Sequence, residues 1–371
     1  MDIVQAVVYG IVQGLTEFLP ISSTAHLRIV PALFGWPDPG AAFTAIIQLG
    51  TVAAVLIYFA KDIGMALKAW ILSIRGTKDF DPVEARLAWG VFIGTIPIVV
   101  LGLAFQHKIE TTLRSLNIIA ASLIIMGIVM LVAERVGTRK RKEKDVEVKD
   151  GVIVGLWQCI ALIPGMSRSG STISGALFQG FDRVSAARFS FLLSIPSVFG
   201  AGVYEAYKSL KGADVAAQVQ WGPAIVATIV SFIVGYASIA FLISYLQKRG
   251  IGVFVWYRLA LGVLILILVR EGVIDKHAGA KPTALLSPSS CARWFVRADE
   301  EGVGGGGSGL GDTSAHLLVP QAFAPLRSFA SLREIPLADF ARPLRTSREE
   351  SRIVNRQSSI VNHAPHVLEE T

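Results

Sequence analysis

Long apolar runs separated by short charged segments dominate residues 1–272 of the chain. Several of these runs approach the roughly 20 apolar residues that a helix needs to cross a bilayer. They lie at about 43–59, 86–104, 117–133, 186–206, 222–242 and 253–269. Two other apolar stretches, around 13–27 and 164–173, are interrupted by a proline and a run of hydroxyls. The pattern predicts an all-α polytopic membrane protein with six transmembrane helices and two re-entrant helix hairpins.

The composition of the chain supports a membrane protein. Of its 371 residues, 52% are hydrophobic and 17% are charged, whereas about a quarter of the residues in a soluble domain are charged. The net charge of +7 comes from basic residues that flank the apolar runs, so it indicates membrane topology and no nucleic-acid binding. The two cysteines, Cys159 and Cys291, lack the spacing of a disulfide framework or a metal site.

The charges of the loops predict how the chain is oriented. The densest basic run, from Arg135 to Lys149, is expected on the cytoplasmic side by the positive-inside rule. Counting the spans outward from this run places the loop 60–85 inside as well. The first polar segment then enters the membrane from the outside, and the second enters from the inside.

An internal repeat relates the two polar segments. Gly10-Ile11-Val12-Gln13 matches Gly155-Leu156-Trp157-Gln158 at a separation of 145 residues, and Pro20-x-x-Ser23 matches Pro164-x-x-Ser167 at a separation of 144. The two repeats span about 1–134 and 151–272 and are predicted to have opposite orientations. Inverted repeats with broken helices place a site near the membrane midplane, where half-helix N-termini converge.

The chain changes character after residue 276. A glycine-rich stretch at 302–309 is followed by a segment rich in serine, arginine and proline. We therefore assign 1–276 to a membrane domain and 277–371 to a disordered C-terminal extension.

The first polar segment combines a carboxylate, hydroxyls and an imidazole. Gln13 and Glu17 are four residues apart and share one helix face, and Pro20 should end that helix. A hydroxyl then caps a new helix whose free amides attract an anion; the candidates are Ser22, Ser23 and Thr24. Because His26 follows the first two of these by four and three residues, either hydroxyl can reach its imidazole. Glu17 can hold a divalent cation or act as a base.

The second polar segment offers the opposite charge. Pro164-Gly165 breaks the chain, and Arg168 carries a planar guanidinium that matches phosphate oxygens. The candidate substrate-binding residues around it are Ser167, Ser169, Gly170, Ser171 and Thr172. Together they would form a phosphate cradle. The alternatives are that Arg168 pairs with Glu17 while the serines only pack helices, or that Arg168 extends to the membrane surface.

Four further polar residues occupy roughly matching places in the two repeats. They are Gln48, Thr51, Ser194 and Ser197. They either support the site or pack helices together.

Both polar segments closely resemble signature motifs of the undecaprenyl-diphosphate phosphatase family of the bacitracin-resistance type. They read Gln-Gly-Leu-Thr-Glu-Phe-Leu-Pro-Ile-Ser-Ser-Thr-Ala-His-Leu at 13–27 and Pro-Gly-Met-Ser-Arg-Ser-Gly-Ser-Thr-Ile at 164–173. The resemblance covers about residues 1–272. It implies six spans, two re-entrant hairpins and a site on the outer face of the bacterial inner membrane. It also implies hydrolysis of the lipid diphosphate to monophosphate and inorganic phosphate, which recycles the carrier lipid for cell-wall synthesis and confers bacitracin resistance.

The resemblance also assigns roles to individual residues. The acidic pair of the family falls on Gln13 and Glu17, its serine and histidine on Ser23 and His26, and its arginine on Arg168. Many members carry glutamate where this chain has Gln13, so a metal site with two carboxylates is in question here. Ala25 replaces a common glycine.

Two routes of hydrolysis are consistent with these residues. Arg168 and the two helix N-termini would hold the diphosphate, with Mg²⁺ or Ca²⁺ bound by Glu17 and phosphate oxygens. Either Ser23 attacks with His26 as its base, or His26 activates a water molecule.

A second class of function would look similar in sequence. A lipid-phosphate flippase or anion transporter can be built on the same inverted-repeat scaffold. The Ser23–His26 pair beside Glu17 favours the phosphatase, because transport needs no nucleophile and no base. The expected partners are the polyprenyl diphosphate, the lipid bilayer and a second copy of the chain in a homodimer.

Overall fold

The computed structural model describes residues 1–77, 79–110, 113, 115–211 and 220–274. In this part of the chain it consists of eleven α-helices and one short 3-10 helix, Glu143–Asp145. The α-helices are α1 (Ile3–Phe18), α2 (Ser23–Phe34), α3 (Gly40–Tyr58), α4 (Ala60–Ile74), α5 (Pro82–Glu110), α6 (Leu116–Val136), α7 (Val148–Ile160), α8 (Arg168–Phe178), α9 (Arg183–Lys211), α10 (Trp221–Lys248) and α11 (Gly252–Arg270). The predicted extension, 277–371, lies outside the described residues.

The apolar runs form the long helices. Five helices of the described chain, α5, α6, α9, α10 and α11, are long and apolar enough to cross a membrane. A sixth is reached if α3 and α4 count as one bent span, since together they pass the same test with a bend of 75° between them. The predicted multi-pass all-α class is therefore confirmed.

The loop predicted at 60–85 is instead largely helical, because α4 occupies Ala60–Ile74. Because Lys61, Asp62 and Lys68 interrupt the apolar run there, the segment lacks the continuous hydropathy that predicts a span. The spacing of the apolar residues still follows the helical period, so α4 presents one face to α5 and buries Ala69.

The two polar segments form two broken helix pairs. In the first pair, α1 ends at Phe18, Leu19 is extended, and α2 begins at Ser23. In the second pair, α7 ends at Ile160, and a series of turns leads to α8 at Arg168. The prediction that each polar segment contains a break near its proline, followed by a new helix, is confirmed.

Each broken pair packs against a long helix from the other half of the sequence. Helix α1 packs on α10, and α7 packs on α5. Both contacts depend on glycine: a Cβ on Gly14 would lie 2.8 Å from the Gly235 nitrogen, and one on Gly155 would lie 2.1 Å from the Gly94 oxygen. Small residues let membrane helices approach this closely, so each broken pair is in close backbone contact with its long helix.

Candidate active site

A single carboxylate lies where the two broken pairs meet. The Oε2 atom of Glu17 accepts hydrogen bonds from Gln13 Nε2 and Ser23 Oγ, both at 2.9 Å. Its Oε1 atom accepts from Gln48 Nε2 at 3.1 Å and forms an ion pair with Arg168 Nη2. The Glu17 side chain is 8% exposed, so these four donors surround it almost completely. Glu17 thereby joins α1, α2, α3 and α8 at one point.

The predicted proximity of Gln13 and Glu17 is confirmed by their hydrogen bond. The ion pair between Glu17 and Arg168, which was the alternative explanation of these charges, is also present. Gln48, which the sequence ranked only as a supporting or packing residue, contacts Glu17 directly. The structure therefore brings Gln48 into the centre of the site.

Two serines cap the new helices in the same unusual conformation. Ser22 has φ 75° and accepts a hydrogen bond from the Ala25 amide at 3.4 Å. Ser167 has φ 70° and accepts one from the Gly170 amide at 3.2 Å. Positive φ is strained for serine, and such strain is concentrated at functional sites. The N-termini of α2 and α8 thus both lie at the site, where the first backbone amides of each helix can bind an anion.

This geometry corrects the second half of the sequence repeat. The sequence matched Ser23 with Ser167 at a separation of 144 residues, but the capping residues are Ser22 and Ser167, separated by 145. The prediction matched the two segments at their prolines, but the second break has one more residue between the proline and the capping serine than the first. In the corrected register Ser23 corresponds to Arg168.

A cavity of about 570 Å³ opens beside Glu17. Nine of the candidate residues line it: Gln13, Glu17, Ser22, Ser23, Thr24, Gln48, Ser167, Arg168 and Ser197. The rest of its wall is mostly apolar, and most of it comes from the second halves of α5 and α9, including Ile98, Leu103 and Tyr204. A cavity with a charged, hydrogen-bonding end and a long apolar arm fits a ligand of the same two-part character.

Several predicted residues of the second segment do not line this cavity. Ser169 Oγ donates to the Leu19 carbonyl at 3.2 Å, and Ser171 Oγ donates to the Ser167 carbonyl at 2.9 Å. Thr172 Oγ1 donates to the Arg168 carbonyl at 2.8 Å and also contacts Ser190. Gly170 contributes the amide that binds the capping serine. The hydrogen bonds of these residues stabilise the backbone of the second break, and their side chains do not line the cavity.

His26 lies next to the site but is turned away from it. Its Nδ1 atom is 2.8 Å from the Ser22 carbonyl oxygen, and its Nε2 atom is 2.6 Å from the hydroxyl of Tyr257 on α11. The Tyr257 ring stacks on the imidazole, with 5.6 Å between the ring centroids. Because both ring nitrogens are engaged, the expected contact between a serine hydroxyl and His26 is not formed. Ser23 donates to Glu17 instead.

The donor atoms at the site fit a hard divalent cation only in part. In the described residues no three acidic, histidine or cysteine side chains are grouped so as to hold a metal ion. Glu17 and the amide oxygens of Gln13 and Gln48 are the oxygen ligands that Mg²⁺ and Ca²⁺ prefer. The four donors around Glu17 occupy its oxygens, so these residues could hold such a cation only if Arg168 moved away and further oxygen ligands were added.

Sequence reasoning missed Tyr257 and Arg258 on α11. Arg258 is fully buried and contacts both chain breaks. A signal was available, since Arg258 interrupts the apolar run at 253–269, and an ionisable residue at membrane depth points to a function.

Comparisons with known proteins extend over nearly the whole described region. A family model described as bacitracin resistance protein BacA matches residues 6–264. A protein from Nocardioides sp., named undecaprenyl-diphosphatase, is 51% identical over 274 residues, covering 74% of this chain and 99% of that protein. Proteins of the same name from Chlorobaculum tepidum and Myxococcus xanthus are 53% and 50% identical, covering 99% and 94% of their own lengths and 73% and 76% of this chain.

Proposed function

The chain belongs to the family of the bacitracin resistance protein BacA, and we propose on that basis that it is a membrane phosphatase that hydrolyses undecaprenyl diphosphate. The products are undecaprenyl phosphate and inorganic phosphate, which returns the carrier lipid to cell-wall synthesis and underlies bacitracin resistance. One observation carries the proposal: Ser23 and Arg168 both contact the Glu17 carboxylate at the charged end of a cavity with an apolar arm.

Binding begins with an exchange of partners at Arg168. The terminal phosphate enters between the helix N-termini at Ser22 and Ser167, where backbone amides and the positive ends of two helix dipoles favour an anion. Arg168 is 19% exposed at the cavity wall and transfers its guanidinium from Glu17 to the phosphate oxygens. The carboxylate is thereby released to accept a proton.

Ser23 is the nucleophile in the route that we favour. Its Oγ atom forms a bond to the terminal phosphorus while the bond from that phosphorus to the bridging oxygen breaks, and undecaprenyl phosphate leaves. Glu17, already 2.9 Å from the hydroxyl, takes the proton. A water molecule then attacks the phosphorus of the phosphoserine while the bond from that phosphorus to Ser23 Oγ breaks. Glu17 returns its proton to Oγ, and inorganic phosphate leaves with the oxygen and the protons of the water. Glu17 replaces His26 as the base, because the imidazole is bonded to Ser22 and Tyr257.

Direct attack by water is the competing route. A water molecule bonded to Glu17 would displace the lipid phosphate in one step, and Ser23 would only orient that water. Both routes use Glu17 as the base and Arg168 as the phosphate clamp.

A divalent cation, Mg²⁺ or Ca²⁺, would be held by Glu17, with Gln13 and Gln48 as further oxygen donors. When bound, it would offset the negative charge that builds up on the phosphate oxygens. Because the chain supplies few ligands by itself, we expect the cation to bind together with the diphosphate.

The membrane arrangement follows from the same proposal. Helices α3, α5, α6, α9, α10 and α11 form six spans, and the pairs α1–α2 and α7–α8 are re-entrant hairpins related as inverted repeats. The reciprocal packing of α1 on α10 and of α7 on α5 supports this arrangement. The basic segment from Arg135 to Lys149 lies in the cytoplasm, and the site opens to the outside of the inner membrane. Formation of a homodimer stays a prediction.

The apolar arm between α5 and α9 is proposed to receive the first isoprene units of the lipid. The rest of the tail would pass between these helices into the bilayer. The transporter alternative is not favoured, because the relatives are named as diphosphatases and Ser23 contacts a base.

The proposal is tested by phosphate release from a C55 or C15 prenyl diphosphate, using protein purified in detergent with Mg²⁺ or with EDTA. We expect release that requires the cation. The absence of release from folded protein under both conditions would refute the phosphatase, and uptake of the lipid phosphate into vesicles would then be the next assay.

A further inference from the structure

Arg258 lies in the first half of α11 and is 0% exposed. Its hydrogen bonds among the described residues are all donated to backbone carbonyls. Nη1 donates to the Pro20 oxygen at 3.2 Å, and Nη2 donates to the oxygens of Gly165 and Met166 at 2.8 and 3.1 Å. Nε donates to the Leu123 oxygen of α6 at 3.3 Å. Among the described contacts, this buried cation has no carboxylate partner.

The carbonyls that Arg258 binds belong to both chain breaks. Pro20 lies two residues before the capping serine of α2, and Met166 lies directly before the capping serine of α8. Irregular backbone at membrane depth must find its hydrogen-bond partners inside the protein. A guanidinium has five N–H donors in one plane, so a single side chain can satisfy carbonyls from both breaks and hold them together.

The second break is shaped to make this contact. Gly165 has φ +95°, and a Cβ at this position would lie 2.6 Å from the Ile119 oxygen of α6. The break is therefore pressed against α6, which also supplies the Leu123 carbonyl to Arg258. Helices α6 and α11 pack on each other and form a fixed support against which both breaks are held.

We propose that Arg258 is a positioning residue that links the two chain breaks and so sets the spacing between the two phosphate-binding helix N-termini. It does not line the cavity and takes no part in bond making or breaking. This inference rests on the proposed phosphatase function, since the spacing is that of the groups that hold the diphosphate.

Lysine cannot replace arginine in this role. An ammonium group concentrates its donors at one point on a flexible chain, whereas the guanidinium spreads them along a rigid fork. In Arg258→Lys we therefore expect at most one break to keep its contact. A displacement of about 1 Å in a catalytic group can cost on the order of 100-fold in rate, so we expect kcat/KM to fall by about tenfold to 100-fold.

The experiment compares Arg258→Lys with Arg141→Lys in phosphate release and thermal unfolding. Arg141 is the control, because it also donates to backbone carbonyls, those of Asp145 and Gln179, and it does not line the cavity. Unlike Arg258, it also forms an ion pair with Asp150. We expect Arg141→Lys to lower Tm while its kcat/KM stays within threefold of the unmodified chain. Arg258→Lys with kcat/KM also within threefold would overturn the proposal.

A second readout separates positioning from a purely structural role. Ser167→Ala removes the cap of the second break and should lower kcat/KM in the unmodified chain. If Arg258 positions that break, the same substitution should have an effect at least threefold smaller in the Arg258→Lys background, where the break is already displaced. An unchanged effect of Ser167→Ala in the two backgrounds would show that Arg258 only stabilises the fold.

Two controls keep the outcome decisive. If Arg258→Lys does not fold, Arg258→Gln is measured in its place, because it removes the buried charge and keeps two N–H donors. Phosphate release by the unmodified chain is measured in the same series. Its absence would refute the proposed function, whereas its presence together with an unaffected Arg258→Lys or Arg258→Gln would refute the positioning role alone.

Discussion

The two broken helix pairs share one backbone design and carry different chemistry. In both pairs a half-helix ends, a serine with positive φ caps a new helix, and a glutamine lies nine residues before that serine. At two other matched positions the pairs differ. Glu17 corresponds to Leu162, and Ser23 corresponds to Arg168. In the proposed mechanism, the first pair therefore holds the base Glu17 and the hydroxyl of Ser23, and the second holds Arg168, the side chain that would bind phosphate.

The contacts of the two matched glutamines show the same division. Gln13 donates to the Glu17 carboxylate at 2.9 Å. Gln158 is fully buried and accepts a hydrogen bond from the Ser197 hydroxyl at 3.2 Å. In this second pair the residue that corresponds to Glu17 is Leu162, which lines the cavity with an apolar side chain. A repeated fold can thus supply two anion-binding helix ends while only one half keeps the reactive groups. Substitutions at matched positions should have unequal effects.

The largest expected effect is at Glu17. Glu17→Gln keeps the size and hydrogen bonds of the side chain but cannot accept the proton of Ser23 or of water. Loss of a general base typically costs about 10²–10⁴ in rate, so we expect kcat to fall by about 10³-fold. The fall in kcat is measured by steady-state phosphate release, and Tm shows whether the variant is folded. A loss of less than tenfold would mean that another group removes the proton.

The next largest effect is expected at Arg168, the residue of the second pair that corresponds to Ser23. Arg168→Ala removes the phosphate clamp and leaves Glu17 without its ion-pair partner, so we expect kcat/KM to fall by about 10²–10³, the range seen when a preorganised donor to developing charge is lost. Arg183→Ala is the control, because Arg183 pairs with Glu134 away from the cavity. Equal losses in the two variants would indicate that Arg168 acts through stability alone.

A smaller effect should separate the two glutamines. Gln13→Leu removes a hydrogen bond to a buried carboxylate, which is worth about 1.5–3 kcal/mol, so we expect kcat/KM to fall by at least tenfold. Gln158→Leu removes a hydrogen bond that does not touch Glu17, so its kcat/KM should stay within threefold. Parallel kinetics of the two variants check this, and equal losses would contradict the assignment of the chemistry to the first pair.

The smallest effect should come from His26. His26→Asn removes a contact with Tyr257 and leaves the bond between Ser23 and Glu17 in place. We expect a loss of a few-fold in kcat, together with a lower Tm, whereas removal of a true base would cost about 10²–10⁴. Tyr257→Phe, which keeps the stacked ring, should behave in the same way. A loss near 10³-fold in His26→Asn would return the base role to His26.

Much of the fold could be predicted because its signals are local. Apolar runs of span length and prolines with nearby serines each act within a few residues of the element that they determine. The helix α4 was missed because its charges break the hydropathy of the segment without breaking its helical period. The repeat was found, although its register at Ser22 and Ser167 depends on backbone conformation that sequence letters do not show.

The candidate site was predictable as a set of residues and only partly as a set of contacts. Glu17, Ser23 and Arg168 were identified, but the spacing paired Ser23 with His26, whereas its hydroxyl donates to Glu17. A tertiary contact is responsible, because Tyr257 on a helix more than 200 residues later binds the imidazole. Arg258 contacts Pro20 across a similar separation, and spacing within one segment cannot predict such contacts.

The most direct test of the division between the two pairs is the turnover of Ser23→Ala, measured beside Thr44→Ala. Thr44 also lines the cavity, but its hydroxyl donates to the Gly40 carbonyl. If Ser23 is the nucleophile, Ser23→Ala should lose at least about 10³-fold in kcat, and Thr44→Ala should remain within threefold. Turnover of folded Ser23→Ala within tenfold of the unmodified chain would contradict attack by Ser23 and leave water as the nucleophile.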